Sequence, residues 1–139
     1  MIEYKNFSSE LIDEIIKIYE KNNWKAYLGN KEKLIKAFDN SLFILGAFDN
    51  DKLVGFIRAI GDTEYVLYIQ DLIVDPKYHR QGIGKELVKK TSEKFPNERH
   101  FFLTTDGKDE KANAFYQAIG LSQTYNGYPI NHYFRVKNK

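Results

Sequence analysis

Three apolar runs of β character follow one another through the middle of the chain, Leu42 to Phe48, Leu53 to Ile60 and Tyr65 to Val74, and the last stops at Asp75-Pro76. This succession constrains the fold more than any other feature. Asp49-Asn50-Asp51-Lys52 places turn-forming and polar residues between the first two runs, which therefore read as a β-hairpin. Gly61-Asp62 supplies a turn into the third run. Proline has no ladder donor and restricts its predecessor, so Pro76 ends that strand.

Helical spacing surrounds this meander. Ile2 and Tyr4 alternate with polar neighbours as a short first strand, after which Ser8 and Ser9 cap a helix carrying Leu11, Ile12, Ile15, Ile16 and Tyr19. Asn22-Asn23 ends it, and a second short helix starts at Asn30 with Leu34, Ile35 and Phe38 as its buried stripe. Beyond the meander, Ile83, Leu87, Val88 and Thr91 share a helix face that ends before Pro96, and His100 to Thr105 reads as a strand. Ala112, Phe115 and Ile119 mark a last helix closed by Gly120, where positive φ is easily reached. Two strands, around Ser122 to Tyr125 and Ile130 to Val136, are expected to flank Asn126-Gly127. The expected order is β-α-α-β-β-β-α-β-α-β-β: an α/β (α+β) fold with a mixed, twisted sheet of about seven strands and helices on both faces. No repeat or linker interrupts residues 1–139, which are expected to form a single domain.

Composition removes several functions. The chain has no cysteine, which excludes disulfides, thiolate metal sites and cysteine nucleophiles. Its 21 basic and 19 acidic residues are scattered, so nucleic-acid binding gets no support. His100 and His132 have no partner at metal-ligand spacing, and no metal site is expected. The N-terminal residues lack a signal peptide's apolar run and no stretch reaches the length of a membrane span, so the expectation is a soluble, cytoplasmic protein with no membrane partner. Aromatic residues make up 15% of the chain, more than a small core usually requires, which suggests that some rings line a cleft.

The sharpest local signal is Asp71-Leu72-Ile73-Val74-Asp75-Pro76 followed by His79-Arg80-Gln81-Gly82-Ile83-Gly84-Lys85-Glu86-Leu87. A strand, a loop with two glycines and a helix start aim backbone amides and the positive end of a helix dipole at one spot. A phosphate suits that spot, with His79, Arg80 and Lys85 adding charge nearby. Leu87 stands where a dinucleotide fingerprint needs a third glycine or alanine, and Glu86 stands where a Walker A loop needs Ser or Thr. The plainer alternative is that Gly82 and Gly84 only permit a tight turn into a helix.

These residues resemble the GNAT superfamily of N-acetyltransferases, whose acetyl-CoA loop reads Gln/Arg-x-x-Gly-x-Gly/Ala after an apolar-x-Val-x-Pro strand end. Leu72, Val74 and Pro76 match the strand end, and Gly82 and Gly84 match the glycines, with His79 in the first loop position. Ala112-Asn113-Ala114-Phe115-Tyr116-Gln117-Ala118-Ile119-Gly120-Leu121 is similar to the family's Ala-x-x-Phe-Tyr-x-x-x-Gly-Phe helix, preceded by Asp109 where relatives often carry Asn.

The resemblance implies an acetyl-CoA-dependent N-acetyltransferase that moves an acetyl group to a primary amine of a small molecule or protein by direct attack in a ternary complex. It implies cofactor contacts from Leu72, Ile73, Val74, His79, Arg80, Gln81, Gly82, Ile83, Gly84, Lys85, Asp109 and Tyr116, with amides near Ile73 and Val74 at the oxyanion. Phe115 is assigned to the core, and Tyr116, turned about 100° from it, to the general acid. Asp71 is the nearest carboxylate for a general base, with a strand-end structural acid as the equal alternative, since Tyr68 and Gln70 occupy the strand positions where relatives carry Glu or His. Trp24, Tyr27, Tyr125 and Tyr128 are candidates for an amine pocket, or else they pin loops or bury a homodimer contact. A non-catalytic acyl-CoA sensor and an interaction module remain the competing readings.

Overall fold

A computed structural model describes residues 1–124 and 129–135. The chain forms two compact units, Met1–Thr104 and Thr105–Lys139. The first contains β1 (Ile2–Asn6), α1 (Ile12–Lys21), α2 (Lys31–Asp39), β2 (Phe43–Asp49), β3 (Lys52–Gly61), β4 (Val66–Val74), α3 (Ile83–Lys94) and β5 (His100–Leu103). The second contains α4 (Glu110–Ala118).

One sheet runs in the order β1-β2-β3-β4-β5. Its first three pairings are antiparallel and β4-β5 is parallel, as the crossover through α3 allows. The turn between β2 and β3 places Asn50 and Asp51 at φ of 50° and 69°, the left-handed pair that suits a tight hairpin. Ser8 caps a short 3-10 turn ahead of α1 by accepting from the Glu10 amide, and Asn30 caps α2 through the Lys33 amide.

The sheet has five strands, which corrects the expectation of about seven. Among the described residues, 122–124 and 130–135 form no strand, and 125–128 and 136–139 lie outside them. The order is therefore β-α-α-β-β-β-α-β-α. Residues 130–135 include strand-favouring Ile130, Tyr133 and Phe134, but a strand also needs a neighbour to take its ladder bonds, and composition alone does not supply one.

β3 is buried from Leu53 through Ala59, so both of its faces are covered. On one face α1 and α2 bring Ile12, Ile15, Ile18, Tyr19, Leu34 and Phe38 against Ile44, Phe48, Phe56 and Ile73. Ile18 joins this cluster fully, whereas Leu11 and Ile16 pack on it half-buried. The alternate residues of the strands meet α3, which buries Ile83, Leu87, Val88 and Thr91.

The register of β4 changes midway. Arg58 stands opposite Asp71 and Ala59 opposite Ile69, so Gln70 is an extra residue with no partner of its own. A one-residue shift inverts which face each side chain meets, and the bulge uses that inversion. Leu67 and Ile69 on one side and Asp71 and Ile73 on the other are all buried, but Ile73 belongs to the α1-α2 cluster and Leu67 and Ile69 do not.

Asp71 points into the α1-α2 face with 1% exposure, beside an equally enclosed Arg58. Arg58 Nε donates to Asp71 Oδ2 at 2.7 Å and Nη1 to Ser41 Oγ at 3.1 Å. Removing one member of a buried pair strands the other charge, which costs about 3–5 kcal/mol. Arg58→Met is expected to lower urea-unfolding stability by about that amount, and Arg58→Met/Asp71→Leu to recover part of the loss.

Candidate active site

The site follows from where β4 loses a neighbour. Pairing with β5 runs from Val66 opposite His100 to Ile69 opposite Leu103 and goes no further. The segment after the bulge, Asp71 to Val74, keeps β3 on one side and has no strand on the other among the described residues. The Asp75 amide donates to the Val54 carbonyl at 2.7 Å, which fixes the alternation: Ile73 and Asp71 direct their amides to β3, Leu72 and Val74 to the open edge. Of the two amides expected at the oxyanion, that of Val74 faces the edge and that of Ile73 faces the ladder. The amide of Leu72 shares the edge with that of Val74. Gly55 permits the close fit behind this segment, because a Cβ there would lie 3.0 Å from the Ile73 carbonyl oxygen.

The corner that follows is tied to α1. Asp75 is buried, accepts from Lys21 Nζ at 2.9 Å, and caps a 3-10 turn at Pro76–Tyr78 through the Lys77 amide. Asn22 Nδ2 donates to the Val74 carbonyl at 3.2 Å. His79 Nε2 lies 3.0 Å from the same carbonyl, and since a carbonyl only accepts, Nε2 carries the hydrogen. In this geometry that ring nitrogen is bonded to β4.

Past His79 the backbone opens. Arg80 has φ of 66° and Gly82 has φ of 79°, two left-handed residues with one residue between them. Gly82 precedes α3 without a side-chain cap, and the first intrahelical bond at that end runs from the Glu86 amide to the Gly82 carbonyl. The amides of Gln81, Gly82, Ile83, Gly84 and Lys85 donate to no acceptor among the described residues. Successive free amides in such a turn, at a helix N-terminus, form a concave anion cradle. A Cβ at Gly82 would meet nothing within 4 Å, so the glycine serves its left-handed conformation and leaves the main chain exposed. The arrangement fits a pyrophosphate, and a free edge amide of β4 fits a carbonyl oxygen.

The remaining predicted residues are distributed as follows. Asp71 Oδ2 accepts from Tyr19 Oη at 2.8 Å as well as from Arg58, and Oδ1 accepts from Tyr27 Oη at 2.7 Å. Burial and then the neighbouring Asp71 charge raise the Tyr19 hydroxyl far above the phenol range, and the same causes raise Tyr27. Burial would lower Arg58, but the Asp71 charge and hydrogen bond outweigh it, so Arg58 is raised. Trp24 and Tyr27 both stack on Tyr19, with ring centroids 6.0 Å and 4.5 Å away. Both pack on the core cluster. Tyr125 and Tyr128 lie outside the described residues.

In the second unit, Asp109 caps α4 by accepting from the Ala112 amide at 3.0 Å. Tyr116 and Phe115 are both half-buried. Burial, then the Asp109 charge, raises the Tyr116 hydroxyl above the ordinary phenol value. It stays protonated at neutral pH, as a proton donor must. Sequence reasoning missed Arg58, Ser41 and Lys21. Arg58 carried a signal, since a charge inside an otherwise apolar strand needs a buried partner. No three His, Asp or Glu side chains gather to hold a metal among the described residues. No described helix is long and apolar enough to cross a membrane.

The model of the Acetyltransferase (GNAT) family matches residues 7–121. The chain belongs to that family. Among curated GNAT relatives, a protein of Gracilaria tenuistipitata var. liui, bearing the name uncharacterized N-acetyltransferase ycf52, is 29% identical over 123 residues, 85% of this chain and 66% of its own. A ycf52-like protein of Prochlorococcus marinus, also of uncharacterized function, is 40% identical over 57 residues, 38% of this chain and 32% of its own. The chain thus spans less than two thirds of the length of these curated relatives. A GNAT-family acetyltransferase of Streptococcus pneumoniae TIGR4 superposes with a TM-score of 0.78 at 29% identity, covering 99% of this chain and 98% of that one. PaiA N-acetyltransferase of Thermoplasma acidophilum, solved with coenzyme A, has a TM-score of 0.71 at 22% identity, covering 86% and 89%, and so shares the fold.

The corner at Asp75 carries a pH signature. Burial opposes its charge, but the Lys21 contact, the Lys77 amide and the Lys52 charge together hold its carboxyl below the usual carboxylate value. A depressed folded value stabilises above the unfolded value of about 3.9 and is lost as pH falls through the folded one. Asp75→Asn is expected to flatten the fall in urea stability below about pH 4. A slope equal to the wild type's would assign the corner's stability elsewhere.

Proposed function

We propose that this GNAT protein is an acetyl-CoA-dependent N-acetyltransferase acting on a primary amine, with residues 1–139 working as one catalytic domain. The observation that carries the reading is the run of free amides from Gln81 to Lys85 beside the free edge amides of Leu72 and Val74. When bound, acetyl-CoA supplies an acyl group activated as a thioester. Gln81, Gly82, Ile83, Gly84 and Lys85 hold its phosphates through the main chain, with Arg80 and Lys85 adding charge.

The Val74 amide, fixed by the β3 ladder behind it, donates to the carbonyl oxygen as negative charge develops there. An amine nitrogen forms the bond to the acetyl carbon while the carbon-sulfur bond breaks. Tyr116, protonated at neutral pH, gives its proton to the departing sulfur. No cysteine exists to take the acyl group first, which supports direct transfer. Asp71 has both oxygens occupied by Arg58, Tyr19 and Tyr27, and those contacts weigh against its serving as the base.

That last observation also favours a second reading, an acyl-CoA sensor without turnover. Acetyl-CoA is expected to raise the melting temperature of the wild type under both readings. Gly82→Glu, which puts a carboxylate into the cradle, is expected to abolish that shift and acetyl-CoA binding in calorimetric titration. Normal affinity in this variant would move the site away from the loop. Tyr116→Phe separates the readings: for the enzyme it lowers kcat about 10²-fold or more and leaves acetyl-CoA affinity near the wild type's. Wild-type protein that binds acetyl-CoA yet releases no free thiol with amines would establish the sensor.

A further inference from the structure

We propose that Gln70 orients the incoming amine through its carboxamide oxygen, and that Asp71 is the positioning residue that gives this carboxamide its direction. The proposal rests on the acetyl-transfer reading above and names a group on its amine side.

The argument is one of hydrogen-bond polarity. Arg58 donates to Asp71 Oδ2 at 2.7 Å as the cation of a buried ion pair, so Asp71 is a carboxylate and both of its oxygens accept. With Asp71 an acceptor, the Tyr27 hydroxyl spends its only hydrogen on Oδ1, also at 2.7 Å. The Tyr27 oxygen can then only accept from its other neighbour, the Gln70 side chain at 2.9 Å. A carboxamide has two ends, and only Nε2 donates. Arg58 thus dictates, through Asp71 and Tyr27, which end of Gln70 turns inward.

The outward end is therefore Oε1. Gln70 is exposed, and Oε1 receives no donor among the described residues. The position of this group is set by the bulge, since Gln70 is the residue inserted where β4 parts from β5, two positions before the free amide of Leu72. An acceptor oxygen at that place suits an N–H donor, and the amine is the reactant that carries N–H bonds. Accepting one of them leaves the nitrogen lone pair free to form the bond to the acetyl carbon.

A carboxamide does not take up a proton at neutral pH, so Gln70 orients without deprotonating. The ammonium form must lose its proton to water before attack, and the remaining surplus proton of the new amide also leaves to water. The sulfur receives its proton from Tyr116 as described above, and water returns one to the tyrosinate. The pH dependence of kcat/KM then belongs to the amine and moves when the amine is changed.

The test uses the full chain with acetyl-CoA and three probes of different basicity: tyramine, spermidine and the unblocked peptide Ala-Gly-Ser. Free thiol release is followed for wild type, Gln70→Ala, Tyr27→Phe and Gln70→Glu. For the probe that reacts fastest, Gln70→Ala is expected to raise the amine KM about three- to tenfold, with acetyl-CoA affinity and kcat within about twofold of the wild type. Tyr27→Phe is expected to raise KM in the same direction. Wild-type pH profiles are expected to shift with the probe, whereas Gln70→Glu introduces an enzyme-borne group whose inflection stays fixed. An unchanged KM in Gln70→Ala, from wild-type protein that does transfer acetyl groups, overturns the inference and leaves the acetyl-transfer reading standing. Wild-type protein that releases no thiol with any of these probes overturns both.

Discussion

A carboxylate almost out of contact with water sits behind the candidate site, and the surrounding structure is arranged to tolerate it. Asp71 is 1% exposed and is held by one guanidinium and two phenols. An ionised carboxylate in such a place is unfavourable by several kcal/mol unless paired and fully hydrogen-bonded, so each partner is an obligation rather than an ornament. Meeting it joins three elements: Tyr19 from α1, Tyr27 from the segment before α2, and Arg58 from β3. The pairing of Arg58 with Asp71 also falls at the register step where Gln70 is inserted. The pair therefore pins both the bulge and the helices that cover it.

From that point the site is assembled by subtraction of partners. β5 stops pairing at Ile69, which leaves the Leu72 and Val74 amides at an open edge. Gly82, without a capping side chain, leaves the first amides of α3 unbonded. Main-chain donors that a stable fold would ordinarily satisfy are thus concentrated along one strand end and the loop after it. Lys21, Asn22 and His79 offset the exposure by tying the corner between them to α1 and to the Val74 carbonyl.

The loop and the meander were legible in the sequence because their signals are local. Pro76 marks a strand end by its own chemistry, Asn50-Asp51 adopts the left-handed turn its side chains tolerate, and Gly82 stands where positive φ is needed. What escaped was non-local. Nothing near Gln70 announces a bulge, since the inversion of facing depends on β3. Arg58 and Asp71 lie 13 residues apart and meet only across a strand pair. Trp24 and Tyr27 read either as amine-pocket rings by resemblance or as rings that pin a loop; both pack on the core cluster, and Tyr27 also bonds Asp71, a contact 44 residues away in the chain. The two final strands are expected on either side of Asn126-Gly127, and the described part of that segment carries none. Asp109, matched to a cofactor contact by position, also caps α4 by accepting from the Ala112 amide.

The most direct measurement follows the main-chain amides themselves. In 1H–15N spectra of the isotopically labelled protein titrated with acetyl-CoA, the largest shifts should fall on Gln81, Gly82, Ile83, Gly84 and Lys85, accompanied by Leu72 and Val74. Ile73, whose amide is bonded into the sheet, should move less than either neighbour. Shifts confined to other parts of the chain, or no shifts at saturating acetyl-CoA, would contradict the assignment of this strand end and loop as the acyl-donor site.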